Sequence, residues 1–381
     1  MGNKQVQEAG DNSQQLQANN MIVNVGIDEK RAREICQEMI LQLKNKHTEE
    51  ALKVAESRVS EFEDRLMNKM KVIDGALEAF ADPSFQLLLV EAQKKAASTE
   101  RPADYDLLSE LLVHRFQNGT DRNIRAGITR AVEIVDEISD EALLGLTVFH
   151  AVTCFYPVTG VIQKGLDVLN SLFGKLFYAT LPTGNDWLDH LDILNTIRIG
   201  EFGRLKKMEE YYSEQFAGYM DVGIKKLSQE HYKAIELLNS NNLPLNILIE
   251  HELNTDYIRL NIFNKKDIDT LKLTHQISFN GHTKLIHQVN YNSSIVPLEI
   301  SLTDTEKNVI ISIYDLYKQD AEIRQENINK FIEEWNKRAN LKILREWWNN
   351  IEVSIQLTSV GKVLAHANAQ RCDESLPSLN N

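Results

Sequence analysis

Residues 2 to 20 contain no aromatic residue and only two large aliphatics, Val6 and Leu16, set among Gln, Asn, Ser, Asp and Gly. Such a stretch buries too little apolar area to offset the entropy of ordering, and by itself it reads as a flexible leader. MIVNV, Met21 to Val25, is a short β-prone run closed by Gly26. Asp28 then supplies an acidic helix start, and Ala32, Ile35, Met39, Ile40 and Leu43 follow at helical spacing, which predicts a first helix over 28–46. From Thr48 the steps of three and four continue through Leu52, Ala55, Val59, Phe62, Leu66, Met70, Ile73, Leu77 and Phe80. This predicts one long helix of roughly 30 residues, about 45–50 Å. The flanking charges lack a heptad pairing code, which favours a bundle helix over a coiled coil.

Asp82-Pro83 stops that helix. Helical patterns then occupy 84–97, 105–116, 122–136 and 140–156, with a polar break at 98–104 and a turn at Asn118-Gly119. Together they predict an antiparallel array, continued by 186–199, 204–212 and 221–238. After Asn239 the texture changes to alternating, β-rich runs at 255–263, 271–279, 284–291 and 296–302, with a turn at Asn280-Gly281. Thr303-Asp-Thr-Glu306 is a capping-box pattern that opens a long helix carrying Ile310, Ile313, Tyr317, Ile328, Phe331 and Trp335. Ile351, Val353, Ile355 and Leu357 alternate as one more strand, Thr358 caps a last helix to about Arg371, and the tail DESLPSLNN is expected to fray. The expected fold is mainly α, a helical bundle or array with a long N-terminal helix and a small antiparallel β-containing C-terminal region. The polar breaks divide it into a 1–27 leader, a 28–97 long-helix region, a 104–240 helical domain and a 241–381 α+β domain.

Charge changes the picture of partners. With 42 basic against 55 acidic side chains the net charge is -13, so nucleic acid is not the expected partner. Three well-separated cysteines, Cys36, Cys154 and Cys372, fit reduced thiols, and MGNKQVQEAGDNSQQ has no apolar signal core, so a cytoplasmic location is expected.

Chemistry is sparse. Asp186, Asp189 and His190 lie one helical turn apart, a spacing that gathers metal ligands, but no second motif completes a coordination sphere and acids at a helix start are ordinary. His275, His282 and His287 read as ordinary sheet and turn residues, and no phosphate loop or nucleophile elbow is present. No cofactor is expected, no catalytic residue is assigned, and an interaction protein is favoured over an enzyme. Ala142 to Ile162 has no Lys, Arg, Asp or Glu over 21 positions, the length of a membrane span, yet His150, Tyr156, Pro157 and three Thr dilute it. A buried helix is the preferred reading, with membrane contact only after activation. Trp347-Trp348 beside Arg345 reads as core anchors rather than a base-stacking platform.

The segments VQEAGDN (Val6 to Asn12) and NSQQLQANN (Asn12 to Asn20) resemble the Gln-centred core of the RIP homotypic interaction motif and its bacterial amyloid-signalling relatives. Glu8, Ala9 and Ala18 depart from that pattern, where a hydrophobe or Gly is usual. The GDNS-x-Q-x-Q leader, with RAGITRAVEIVDEISDEALLGLTVFH (Arg125 to His150) and QLTSVGKVLAHANAQR (Gln356 to Arg371), is also similar to an uncharacterised bacterial family encoded near immunity genes. These resemblances imply a self-assembling signalling or effector protein in anti-phage defence. Its leader would stack in register with other copies, or with a protein carrying a matching motif. Val6, Gln7, Asn12, Leu16, Gln17, Asn20, Ile22 and Val25 would form the assembly motif. The alternatives are a pore-forming effector acting through 142–162, and a nucleic-acid binder, since QLTSVGKVLAHA after a strand resembles the last wing and helix of winged-helix regulators.

Overall fold

Side chains that satisfy the free amides of a first turn decide where helices begin. The structure, a computed structural model, describes residues 27–40, 49–200, 203–269 and 302–379, together with the strand backbones between 272 and 301. The leader and its assembly residues lie outside these, as do 41–48. Helices α1 (Glu29–Ile40), α2 (Glu49–Met70), α3 (Pro83–Ser98), α4 (Pro102–Gln117), α5 (Arg122–Ile134) and α6 (Asp140–Cys154) follow one another. Asp82 accepts from the Phe85 amide with Pro83 at the first helical position, Asp121 caps α5 and Ser139 caps α6. Next come α7 (Ile162–Leu176), α8 (Asp186–Ile193), β1 (Ile197–Gly200), α9 (Met208–Gln215), α10 (Ala217–Met220), β2 (Ile224–Lys225), α11 (Gln229–Ser240), β3 (Leu248–Glu250) and β4 (Tyr257–Leu260). The short strands β5 (Lys272–Leu273), β6 (Gln276–Phe279), β7 (His282–Leu285), β8 (Val289–Tyr291), β9 (Ser294–Val296) and β10 (Ile300–Ser301) lead to α12 (Asp304–Tyr314), α13 (Ala321–Asn336), α14 (Ala339–Asn349), β11 (Ser354–Leu357) and α15 (Ser359–Cys372).

The fold is mainly helical with small antiparallel sheets. β2, β4 and β3 form a three-stranded sheet, while β6–β7, β8–β9 and β5–β10 are antiparallel pairs. The expected capping box is present: Thr303 accepts from the Glu306 amide while the Glu306 carboxylate accepts from the Thr303 amide.

Several expected elements are divided. The long helix after Thr48 ends at Met70, because Gly75 takes φ 70° and turns the chain so that Ala76 and Phe80 are buried from a separate 3-10 helix, Ala76–Ala81. The helix after Thr303 splits into α12 and α13. Asp320 caps the second, and the Tyr317 hydroxyl between them accepts the Leu260 amide at 2.6 Å. The 186–199 pattern becomes α8 followed by β1, which pairs antiparallel with β11, Ile197 opposite Leu357. The 221–238 pattern breaks at Gly223, whose φ is 81° and where a Cβ would stand 2.3 Å from the Ile258 carbonyl oxygen. The tail does not fray as far as Leu379: Asp373 pairs with Lys175 at 2.8 Å, and Leu376 and Leu379 pack on the core.

Packing also redraws the units. One hydrophobic core runs from Ala32 through the 98–104 break and takes in α13, α14 and α15. A smaller core, with Ile224, Leu238, Leu260, Ile310 and Tyr317, belongs to β2, α11, β4 and α12 and the residues between them. The boundaries at 97–104 and 240 therefore do not separate cores, since polar breaks mark turns and not the ends of buried surfaces.

α15 is wedged among α4, α5 and α6, with Gly361 and every residue from Val363 to Ala369 buried. Of this helix, Ser359 and Lys362 are exposed. The 142–162 segment is not one span. Residues 142–152 are buried in α6, the helix ends at Cys154 and α7 begins at Ile162. Among the described residues no helix is long and apolar enough to cross a membrane.

Candidate functional site

A helix buried all round must satisfy its polar side chains from within. On α15, Asn368 Nδ2 donates to Thr147 Oγ1 at 2.8 Å, and its Oδ1 accepts from Arg371 Nε at 2.8 Å. His366 Nε2 stands 2.9 Å from the Pro377 carbonyl oxygen. A carbonyl only accepts, so Nε2 carries the hydrogen and Nδ1 is left as an acceptor. His150 Nε2, 3.1 Å from that Nδ1, must donate, which leaves its own Nδ1 to accept from the Cys154 thiol at 3.4 Å. The network thus sets the direction of every bond, from thiol to imidazole to imidazole to carbonyl. It requires both rings to be neutral. Burial, then the neighbouring His366 and Lys362, lowers His150 to about 3. Burial and then His114 lower His366 to about 4. His114 on α4 pairs with Gln370, and its Nδ1 is buried without a partner.

The Cys154 end of this chain opens into a cleft of about 960 Å³, within the size range of small-molecule pockets. Its walls are the end of α6 and the 155–160 loop, one face of α7, the 261–267 segment and the tail at 373–377. Val158 and Val168 are exposed there, beside the Lys175–Asp373 ion pair. Asp267 accepts from the Phe263 and Asn264 amides at 3.1 and 2.9 Å, and burial raises its carboxyl to about 6. Behind the cleft, Arg259 donates to the Gly160 carbonyl at 2.6 Å and to Glu252 at 2.8 Å.

A thiol–imidazole pair becomes nucleophilic when the ring takes the proton. Here the ring is too weak a base, and burial raises Cys154 above the ordinary thiol value. The pair is a hydrogen-bonded thiol. Alkylation of Cys154 by iodoacetamide, followed by peptide mass mapping, is expected to be slower at pH 7.5 than that of an unstructured cysteine. It should climb about tenfold per pH unit from pH 7 towards pH 9 with no plateau in that range. A rate already level below pH 8 would mean a stable thiolate and would reopen the nucleophile reading.

The residues singled out from sequence fall elsewhere. Asp186 and Asp189 are exposed in the first turn of α8, and His190 Nε2 accepts from the Ser139 amide at 3.2 Å. Among the described residues no three His, Cys, Asp or Glu side chains stand together as a metal-holding group. Trp347 and Trp348 are buried, their indole N–H groups donating to the Pro182 and Lys206 carbonyls. What sequence reading missed is the His366–His150–Cys154 chain and Arg259. The four-residue step from His150 to Cys154 was visible, but His366 joins it from 216 residues away.

Fold and site define a mainly α protein with small antiparallel sheets and a ligand-sized cleft of mixed polarity. A family model matches residues 26–376, and the chain belongs to that family, which is of unknown function. No curated protein and no solved structure matches the chain.

Proposed function

We propose that the protein is a self-assembling signalling protein of bacterial anti-phage defence, acting in the cytosol. Its Gln- and Asn-rich leader stacks copies together, and its helical body senses the trigger through the cleft. The observation that carries this reading is the leader itself, whose amides and isolated aliphatics over 5–26 suit in-register stacking. Two features of the body support it. The leader runs directly into a folded unit, where the Ile27 amide donates to Glu78 at 3.1 Å. The cleft offers hydrogen-bonding groups and apolar walls next to a thiol that is not ionised, which suits binding better than turnover.

A peptide of residues 1 to 27 is expected to form thioflavin-positive fibres, and Gln17→Asp to prevent them. A charge repeated in every layer of a dry stack is strongly unfavourable, whereas an inert tail would tolerate it. A peptide that stays monomeric at high concentration and seeds nothing would remove the assembly reading.

A further inference from the structure

Glu63 of α2 is 8% exposed and Gln93 of α3 is 1% exposed, at the place where α1 closes over both helices. Gln93 Nε2 spends one hydrogen on Glu63 Oε1 at 2.9 Å and the other on the Cys36 carbonyl of α1 at 3.3 Å. Those two acceptors fix the orientation of the amide, since turning it over would set oxygen against oxygen. Gln93 Oε1 is then left buried without a hydrogen-bond partner. A buried acceptor beside a carboxyl group is the arrangement that a protonated acid completes, by donating O–H to the amide oxygen while its own carbonyl takes the amide N–H.

We propose that Glu63 holds a proton in the closed bundle, directed at Gln93 Oε1, and that its loss loosens α1 from α2 and α3. α1 is thus a protonation-controlled latch. The charges around it agree. From α1, Arg33 favours the ionised form, but it is shared with Glu29 and Asp64. The Cys36 thiol is buried and neutral. On α2 itself, Asp64 opposes ionisation. On α3, Lys94 is paired with Glu91, and on α4, Asp106 and Glu110 are paired with Arg65 and Lys69. Burial, the largest influence, raises the Glu63 carboxyl from 4.5 to about 7. A carboxyl raised by docking supports the docked state in full below its free value, and that support is lost as pH climbs to the docked value. The window is therefore pH 4.5 to about 7.

This inference does not depend on the leader, and its test reads α1 alone. Hydrogen exchange of residues 29–40 in the full chain, corrected for intrinsic rates, is expected to lose protection by about tenfold per pH unit from pH 5 to 7 and then level off. Glu63→Gln keeps the amide pairing without the titration and should stay protected and flat throughout. A flat wild-type profile, or an unchanged slope in Glu63→Gln, would overturn the latch. Should Glu63→Gln not fold, infrared titration of the wild type decides alone. With the glutamate carboxyls 13C-labelled to set them apart from Asp267, a buried protonated glutamic-acid band present at pH 6 and gone at pH 8.5 supports the proposal, and its absence at pH 6 refutes it.

Discussion

Gly361→Ala is expected to destabilise the fold by about 3 kcal/mol or more, measured by denaturant unfolding. Thr358 caps α15 and donates its hydroxyl to the Asn195 carbonyl at 2.8 Å, which draws the first turn of the helix onto the end of α8. Asn195 itself turns through φ 58° to make this approach. A Cβ on Gly361 would stand 2.0 Å from the Thr196 carbonyl oxygen, a backbone atom that cannot swing aside. α15 would have to lift, and it is the helix on which α4, α5 and α6 pack. Gly127→Ala provides the comparison. Its Cβ would meet the Ser359 carbonyl at 3.3 Å, and the gain in helix propensity, about 1 kcal/mol, offsets that tight contact. Near-neutrality at 127 with a large loss at 361 is the expected pattern. Equal effects would mean that α15 does not sit as described.

Arg259→Met should cost about 3–5 kcal/mol, the range for removing one partner of a buried charged network. The guanidinium is fully buried. It donates to the carbonyls of Gly160, Gly218, Leu260 and Ile262 and to Glu252, and lies 5.5 Å from the Tyr219 ring. Glu252 in turn accepts the Ile162 amide at 2.8 Å, at the start of α7. One side chain thereby ties the three-stranded sheet to the loop after α6 and to α7, which places two cleft walls, Gly160 and Ile262. Arg259→Lys should recover little, because a compact ammonium cannot reproduce a planar fork that spans several carbonyls. A loss below about 1 kcal/mol in Arg259→Met would show that the carbonyls are met by water instead.

Local signals read well because they act over one turn of chain. Thr358 and the Thr303–Glu306 box each named a helix start that the structure contains. Continuity read less well. The apolar spacing after Thr48 runs on to Phe80, yet the helix stops at Met70, since the same spacing is served by a turn at Gly75 and a 3-10 segment that buries Phe80. β1 was hidden inside a helical pattern, because Ile197 and Ile199 are read as strand only once β11 lies beside them. The cleft was illegible for the same reason. Its thiol comes from α6, its ion pair from Lys175 and Asp373, and its far wall from 261–267.

Periodicity, caps and composition determined the mainly helical class and the change to strands after Asn239, because these follow from propensity and from the burial available within short windows. They left open which helix would become the centre. α15 has small residues and few strong apolar ones, and in isolation it looks like a terminal helix of modest character. It is central because Gly361, Ala365, Ala367 and Ala369 let neighbours approach closely, and because Thr147, His150 and Pro377 answer its polar groups. Close approach and paired polar groups are relations between distant segments, and only the folded chain brings those segments together.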